Sequence, residues 1–178
     1  MKLHLITYQS FFALLLAFIP IGVKAQQQAD DGGFSIRQLT DSTSLLLLDY
    51  NGHHDEWKLD YPTYRFMTAD LNDDGVQEAV VGVIKPTRFF DKPEKRLFIY
   101  KNHDGHIRPL WMGSKVGRRL IDFKTQGKFI LCITESASSN NNQTLYDVPV
   151  FKLSRFGLDF VEYKAQDVTE QQARQYLE

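Results

Sequence analysis

The chain holds one cysteine in 178 residues, Cys132. A single thiol excludes an intrachain disulfide and rules out cysteine-based zinc ribbons and redox pairs. An excess of charge is missing too. Against 22 Asp and Glu stand 21 Lys and Arg, so nothing in the balance favours nucleic acid or anionic lipid. Catalytic signatures are absent. The nearest approach to a G-x-S-x-G elbow, Gly113-Ser114-Lys115-Val116-Gly117, places its serine one position early. There is no H-E-x-x-H and no phosphate-binding glycine loop. The longest apolar stretch, Phe11 to Ile19, falls well short of the roughly 20 residues a membrane span needs.

That short stretch follows Lys2 and His4, ends at Pro20 and Gly22, and leads to small residues at Val23 and Ala25. The order predicts a secretory signal cleaved after Ala25, with no transmembrane anchor left behind. No cysteine follows the apolar core, as a lipid-anchored chain would require. The expected product is an exported protein, periplasmic or secreted, beginning at Gln26. Loss of Lys2 and Lys24 takes its net charge from −1 to −3, and its 153 residues suffice for one domain with its own core. Cys132, inside the apolar run Phe129 to Ile133, reads as a small buried residue rather than a nucleophile.

What the chain has is oxygen-rich turn chemistry between β-type runs. In Asp70-Leu71-Asn72-Asp73-Asp74-Gly75-Val76-Gln77-Glu78, side-chain oxygens stand at positions 1, 3, 5 and 9, and glycine at position 6. Alternation points Asp70, Asn72 and Asp74 to one side, Gly75 permits the sharp turn, and the Val76 carbonyl supplies a further oxygen. Hard oxygen donors in that order suit calcium. The rival reading is a solvated Asp-rich hairpin. An EF-hand is excluded, because position 12 is Val81 where that motif needs a bidentate Glu.

A weak repeat of about 52 residues organises the rest. Asp70 and Asp122, Gly75 and Gly127, and Gly105 and Gly157 are each 52 apart, and Gly52 precedes Gly105 by 53. β-Branched and aromatic runs bounded by turn residues predict strands. They are Phe34–Leu39, Ser44–Tyr50 and Glu56–Leu59 in a shortened first unit. The second has Arg65–Ala69, Ala79–Ile84, Arg96–Lys101 and Ile107–Trp111, and the third Arg119–Phe123, Lys128–Thr134, Tyr146–Leu153 and Leu158–Tyr163. A short C-terminal helix follows over Val168 to Leu177, with Asp167 or Thr169 as N-cap. Thr169, Ala173, Tyr176 and Leu177 share the face expected to cover an end sheet. The predicted fold is all-β: about three antiparallel blades forming an incomplete propeller or wedge, with that helix at the end. The domain limits are 1–25 for the signal, 26–33 for a flexible segment, 34–166 for the blades and 167–178 for the helix.

The pattern D-x-N-x-D-G-x-x-E between two strands resembles the calcium loop of FG-GAP and VCBS repeats, the blades of integrin-type β-propellers. The second unit carries the resemblance over about 45 residues. It implies propeller-like blades, one structural calcium, and use as a binding or assembly module. The third unit has Lys124 where the second has Asn72, so a second calcium is not expected. Blade number departs from the family, since propellers usually close with four to eight. The chain is expected to stack its blades as a compact monomer, with a ring of several chains as the alternative.

Other constellations have bland explanations beside functional ones. His53-His54-Asp55-Glu56 follows the turn Asn51-Gly52, and neighbouring side chains on a strand face opposite ways, so a solvated hairpin is expected rather than a metal cluster. His103 and His106 bracket another turn. Lys85 to Pro93 is expected to be a long connection. Phe89 and Phe90 within it either fold back on the sheet or project as an apolar contact. Arg118 and Arg119 form a basic pair able to hold a carboxylate or phosphate. Glu135 is the one isolated acid that invites a catalytic reading. The expected function is an exported, calcium-stabilised β-blade module of the cell envelope that binds a protein or glycan partner. The alternative is a small envelope enzyme or enzyme accessory acting on an anionic or glycan substrate through Arg118, Arg119 and Glu135.

Overall fold

The computed structural model describes residues 33–87, 90–113 and 115–178. The expected signal sequence, the segment 26–32, Phe89 and the side chain of Phe90 lie outside the described residues.

All eleven expected strands are present, in three antiparallel meanders. The first sheet is β1 (Phe34–Thr40), β2 (Thr43–Tyr50) and β3 (His53–Leu59). The second is β4 (Thr63–Ala69), β5 (Glu78–Thr87), β6 (Phe90–His103) and β7 (His106–Met112). The third is β8 (Leu120–Gln126), β9 (Phe129–Glu135), β10 (Tyr146–Ser154) and β11 (Gly157–Val168), followed by helix α1 (Glu170–Arg174) and a 3-10 turn, Gln175–Leu177. Each sheet lies in sequence order, so the repeat spacing maps onto equivalent hairpin turns. Asn51 and Gly52 both have positive φ, 49° and 79°, the backbone that a two-residue hairpin turn requires.

The sheets form an open stack. Phe34, Leu46, Leu48 and Leu59 of the first pack on Ala79, Val81, Val83, Phe98 and Tyr100 of the second. The opposite face of the second sheet sets Val80, Leu97 and Ile99 against Phe123, Ile130, Cys132 and Phe151 of the third. With both faces buried, β5 needs an uninterrupted apolar run, which is why Ala79 to Val83 lacks the alternation of a surface strand. Among the described residues no core cluster joins the first sheet to the third, and the propeller is not closed. Gly82 marks a tight approach between the second and third sheets. A Cβ there would lie 2.6 Å from Cζ of Tyr64 and 2.9 Å from Cε1 of Phe123, two rings that meet edge to face with centroids 6.1 Å apart.

The helix covers the outer face of the third sheet, where Ala173 joins Ile133, Tyr146 and Val148, with Val168 and Leu177 packed beside them. Thr169 is its N-cap, in a capping box with Gln172. Because β11 continues to Val168, the helix starts later than expected, and Tyr176 stays 41% exposed rather than joining the covered face. The expected long connection from Lys85 to Pro93 is also corrected: β5 and β6 extend into it, pairing Lys85 with Glu94 and Thr87 with Phe90. The two charged side chains bond elsewhere: Lys85 Nζ donates to the Tyr61 hydroxyl at 3.3 Å, and Glu94 accepts from Arg96 at 3.0 Å. Pro86 falls at the ladder's register shift, where a missing N–H is tolerated.

Candidate metal centre in the loop between β4 and β5

The loop leaves β4 at Ala69 and enters β5 at Glu78. Its oxygens are turned inward on the loop's own backbone. Asp70 accepts from the N–H of Asp74 (3.1 Å, Oδ1) and of Gly75 (2.8 Å, Oδ2). Asn72 Oδ1 accepts from the N–H of Asp74 at 2.9 Å, and Asp74 Oδ1 from that of Val76 at 2.8 Å. These are the Asx turns that Asp and Asn form in preference to a helix or ladder. Gly75 sits at φ 83°, which removes the Cβ penalty of the left-handed backbone.

Glu78 differs from the other three. It is 2% exposed, at the foot of the loop rather than in solvent. Its Oε2 accepts from the N–H of Leu71 at 2.8 Å, and its Oε1 from Nδ2 of Asn72 at 3.2 Å. The same Asn72 nitrogen donates to Asp74 Oδ2 at 2.9 Å, so an amide dipole bridges two carboxylates. Burial, with the charges of Asp74 and Asp70 acting in the same direction and the Leu71 N–H opposing them, pushes the Glu78 carboxyl up to about 7.

Among the described residues no group of three or more His, Cys, Asp or Glu side chains stands in a metal-holding arrangement. The donor chemistry nonetheless fits a hard cation. Three of the loop's four carboxylates, Asp70, Asp74 and Glu78, belong to this bonded set, each oxygen bonded above has a lone pair left, and the Asn72 amide that bridges Asp74 to Glu78 is neutral. To receive a cation, the Asn72 amide has to turn its oxygen toward the carboxylates that its nitrogen now bridges.

The loop has a second side. Leu71, between Asp70 and Asn72, is 2% exposed and belongs to the core shared by the second and third sheets. Asp73, at φ 59°, pairs with Lys128 Nζ at 2.5 Å, in the turn between β8 and β9. A cleft of about 520 Å³ runs along this seam, bordered by Leu71, Asn72 and Asp73 on one side and by Lys152, Ser154 and Asp159 on the other.

The remaining candidates are dispersed. Arg119 Nε binds Glu135 Oε2 at 3.1 Å, so two residues of the enzymatic reading neutralise one another, while Arg118 is exposed beside them. His54 lies between Asp49 (2.7 Å) and Glu56 (3.3 Å), which raise its pKa, the Asp49 hydrogen bond most. His106 Nδ1 is 3.7 Å from Asp55. Cys132 is buried and its thiol pushed up by burial, opposite to what a nucleophile needs.

Two polar links between sheets were not foreseen. Asp55 Oδ2 accepts from the N–H of Ile107 at 2.7 Å, joining the first sheet to the second. Asp122, 7% exposed, receives Arg65 Nη2 at 2.7 Å, joining the second to the third. The one sequence signal for Asp122 was its repeat position, equivalent to Asp70, and that pointed to a turn rather than to a buried ion pair. No protein-family model, curated protein or solved structure matches the chain.

Proposed function

We propose that the chain is an exported, calcium-stabilised β-blade module of the cell envelope that binds or assembles with a protein or glycan partner. Asp70, Asn72, Asp74 and Glu78 would hold the ion through side-chain oxygens, and Val76 through its carbonyl. The observation that carries this reading is the buried Glu78 carboxylate, placed with Asp70 and Asp74 in one loop and bridged only by a neutral amide. Three like charges in so short a loop repel one another, and a divalent cation relieves that repulsion. The resemblance to FG-GAP and VCBS blades belongs to the same proposal and rests on the loop residues together with the meander of four strands. The ion's part is structural: it orders a turn.

The open stack of sheets supports a binding or assembly role over a catalytic one, since Glu135 is engaged by Arg119. The test is calcium titration of the purified protein by calorimetry and thermal melting. A dissociation constant of about 0.1–1 mM is expected, the range of extracellular modules. Asp74→Ala should abolish the calcium-dependent rise in melting temperature, and Asp73→Ala should keep most of it. Identical wild-type melts in calcium and in chelator would overturn the reading.

A further inference from the structure

We infer that the outer edge of β1 is an acceptor for an extended strand of another polypeptide, one with apolar side chains on one face and an acid on the other. The inference rests on the binding part of the proposed function and deepens it; it does not draw on the calcium reading.

The chain carries its own template for that strand. The last hairpin of each sheet closes on an equivalent pair: Tyr50 with His53, His103 with His106, and Ser154 with Gly157. Counted back from those hairpins, β1 corresponds to β5 and to β9. Each of these has a further strand on its other side, β4 and β8, whereas β1 has none among the described residues. Burial follows the difference. β5 is buried from Glu78 to Val83 and β9 from Ile130 to Thr134, but β1 is exposed from Arg37 to Thr40.

The backbone of that edge is laid out for pairing. The Asp49 N–H donates to the Gly33 carbonyl at 3.3 Å, so the next pair, Phe34 with Leu48, is a non-hydrogen-bonded one. Alternation then turns the N–H and C=O groups of Phe34, Ile36 and Gln38 away from β2. Among the described residues none of these groups has a partner. A row of unpaired donors and acceptors on a sheet edge is what an added strand binds.

The neighbours fix the chemistry of the added strand. Ile36 faces Leu46 as Val80 faces Ile99, and Met67 of β4 stands opposite Val80. Ile36 and Phe66 both lie partly buried at the margin of the core between the first and second sheets. Alternate side chains of the added strand turn toward that margin, so they should be apolar, as Met67 is. On the opposite face of β1, Arg37 is half exposed and reaches one oxygen of Glu56 at 3.4 Å. Its guanidinium has donors to spare, so an Asp or Glu on the added strand complements it. A second copy of this chain offers a poor mate. Its long edge strand, β11, is broken by three register shifts, the irregularity that blunts an edge.

The probe is a synthetic peptide of residues 62–70, the β4 sequence, carrying Phe66→Glu to place an acid beside Arg37; the unchanged peptide is its comparison. Fluorescence anisotropy, in calcium and in chelator, should show saturable binding in both. The Glu peptide should bind about two- to fivefold tighter, the range of an exposed ion pair. Amide exchange followed by NMR should slow at Phe34, Ile36 and Gln38, and not on β11. Ile36→Pro deletes one outward N–H without touching the bonds to β2, and should weaken binding about tenfold relative to Ile36→Ala, which keeps that N–H. Should Ile36→Pro fail to fold, the exchange map on the wild type decides. No saturable binding, no advantage for the Glu peptide, equal binding by the two Ile36 variants, or slowing elsewhere overturns the acceptor edge and leaves the calcium test of the module standing. Binding that appears only after deletion of residues 26–32 overturns it too, because the chain's own segment then holds the edge. So does a dimer that the peptide dissociates, since the occupant is then a second copy. Peptide binding intact beside identical melts in calcium and in chelator would support the acceptor edge and remove the calcium reading alone.

Discussion

Glu78→Gln isolates the electrostatics of the loop from its hydrogen bonds. The Glu78 carboxyl is raised from 4.5 to about 7 by burial, with the charges of Asp74 and Asp70 adding to it. A carboxyl raised on folding binds its proton more tightly in the folded state. The calcium-free protein therefore loses stability as pH rises from the unfolded value of about 4.5, and carries the full penalty above about 7. At 1.36 kcal/mol per unit the penalty is about 3 kcal/mol. Glutamine removes the charge but not without cost. It can still accept from the Leu71 N–H, but its amide nitrogen then faces the Asn72 nitrogen that now donates to Glu78 Oε1, a donor–donor conflict worth about 1–2 kcal/mol. The net gain for Glu78→Gln in metal-stripped buffer at pH 8 is about 1–2 kcal/mol, falling to zero or below near pH 5, where Glu78 is already neutral. Calcium offsets most of that gain. With a dissociation constant of about 0.1 mM, 1 mM calcium adds about 1.4 kcal/mol to the wild type and little to the variant. Urea denaturation at pH 5.0, 6.5 and 8.0, with and without calcium, measures both effects. The reasoning is refuted if the variant is less stable than the wild type at pH 8 without calcium, or if the difference between the two does not change with pH.

Gly82→Ala should destabilise by about 1–3 kcal/mol through overpacking, since the added methyl meets Tyr64 and Phe123 inside 3 Å, and a lowered urea midpoint with unchanged slope would show it. Asp55→Ala should cost about 1–3 kcal/mol by leaving the Ile107 N–H without its carboxylate. The Asp55 carboxyl is lowered chiefly by that N–H, so its contribution is complete above the ordinary carboxylate range and is lost as pH falls through it. The gap between wild type and Asp55→Ala should therefore close in acid denaturation curves. Replacing Arg118 and Arg119 together by alanine should leave stability within about 1 kcal/mol, because the Arg119–Glu135 pair is exposed, while weakening retention of the protein on an anionic glycan column. Unfolding of this double variant would identify the pair as structural.

Strand positions were legible because they depend on local terms. Alternation, β-branching and turn residues at Asn51-Gly52, Asp104-Gly105 and Gly127 act within a few positions of one another, and the 52-residue spacing carried over to equivalent turns in the three sheets. The helix cap was legible for the same reason, with Thr169 named among the candidates. The miss at Lys85 to Pro93 followed from reading two prolines and two phenylalanines as a loop. Pairing across the hairpin, Lys85 with Glu94, outweighed that local signal, and no scan along the chain reveals it.

The loop shows where local information ends. Its donors, their order and the glycine that permits the turn are properties of nine consecutive residues, and the sequence alone determined them. Tertiary structure decided everything that depends on what lies opposite. Asp70 and Asp122 occupy one repeat position, yet Asp70 lies in a turn and Asp122 is sealed against Arg65, 57 residues away. Glu78 is one acid among four in the loop until β5 is buried between two sheets, and only that burial makes its charge costly. Leu71 and Asp73, spacers between the oxygen-bearing positions in the sequence, meet Phe123 and Lys128 across a seam that exists only once the sheets have stacked. The physical reason is common to all three. Turn and strand preferences are set by a residue's own backbone and its near neighbours, whereas burial energies and ion pairs are set by the environment that distant segments bring.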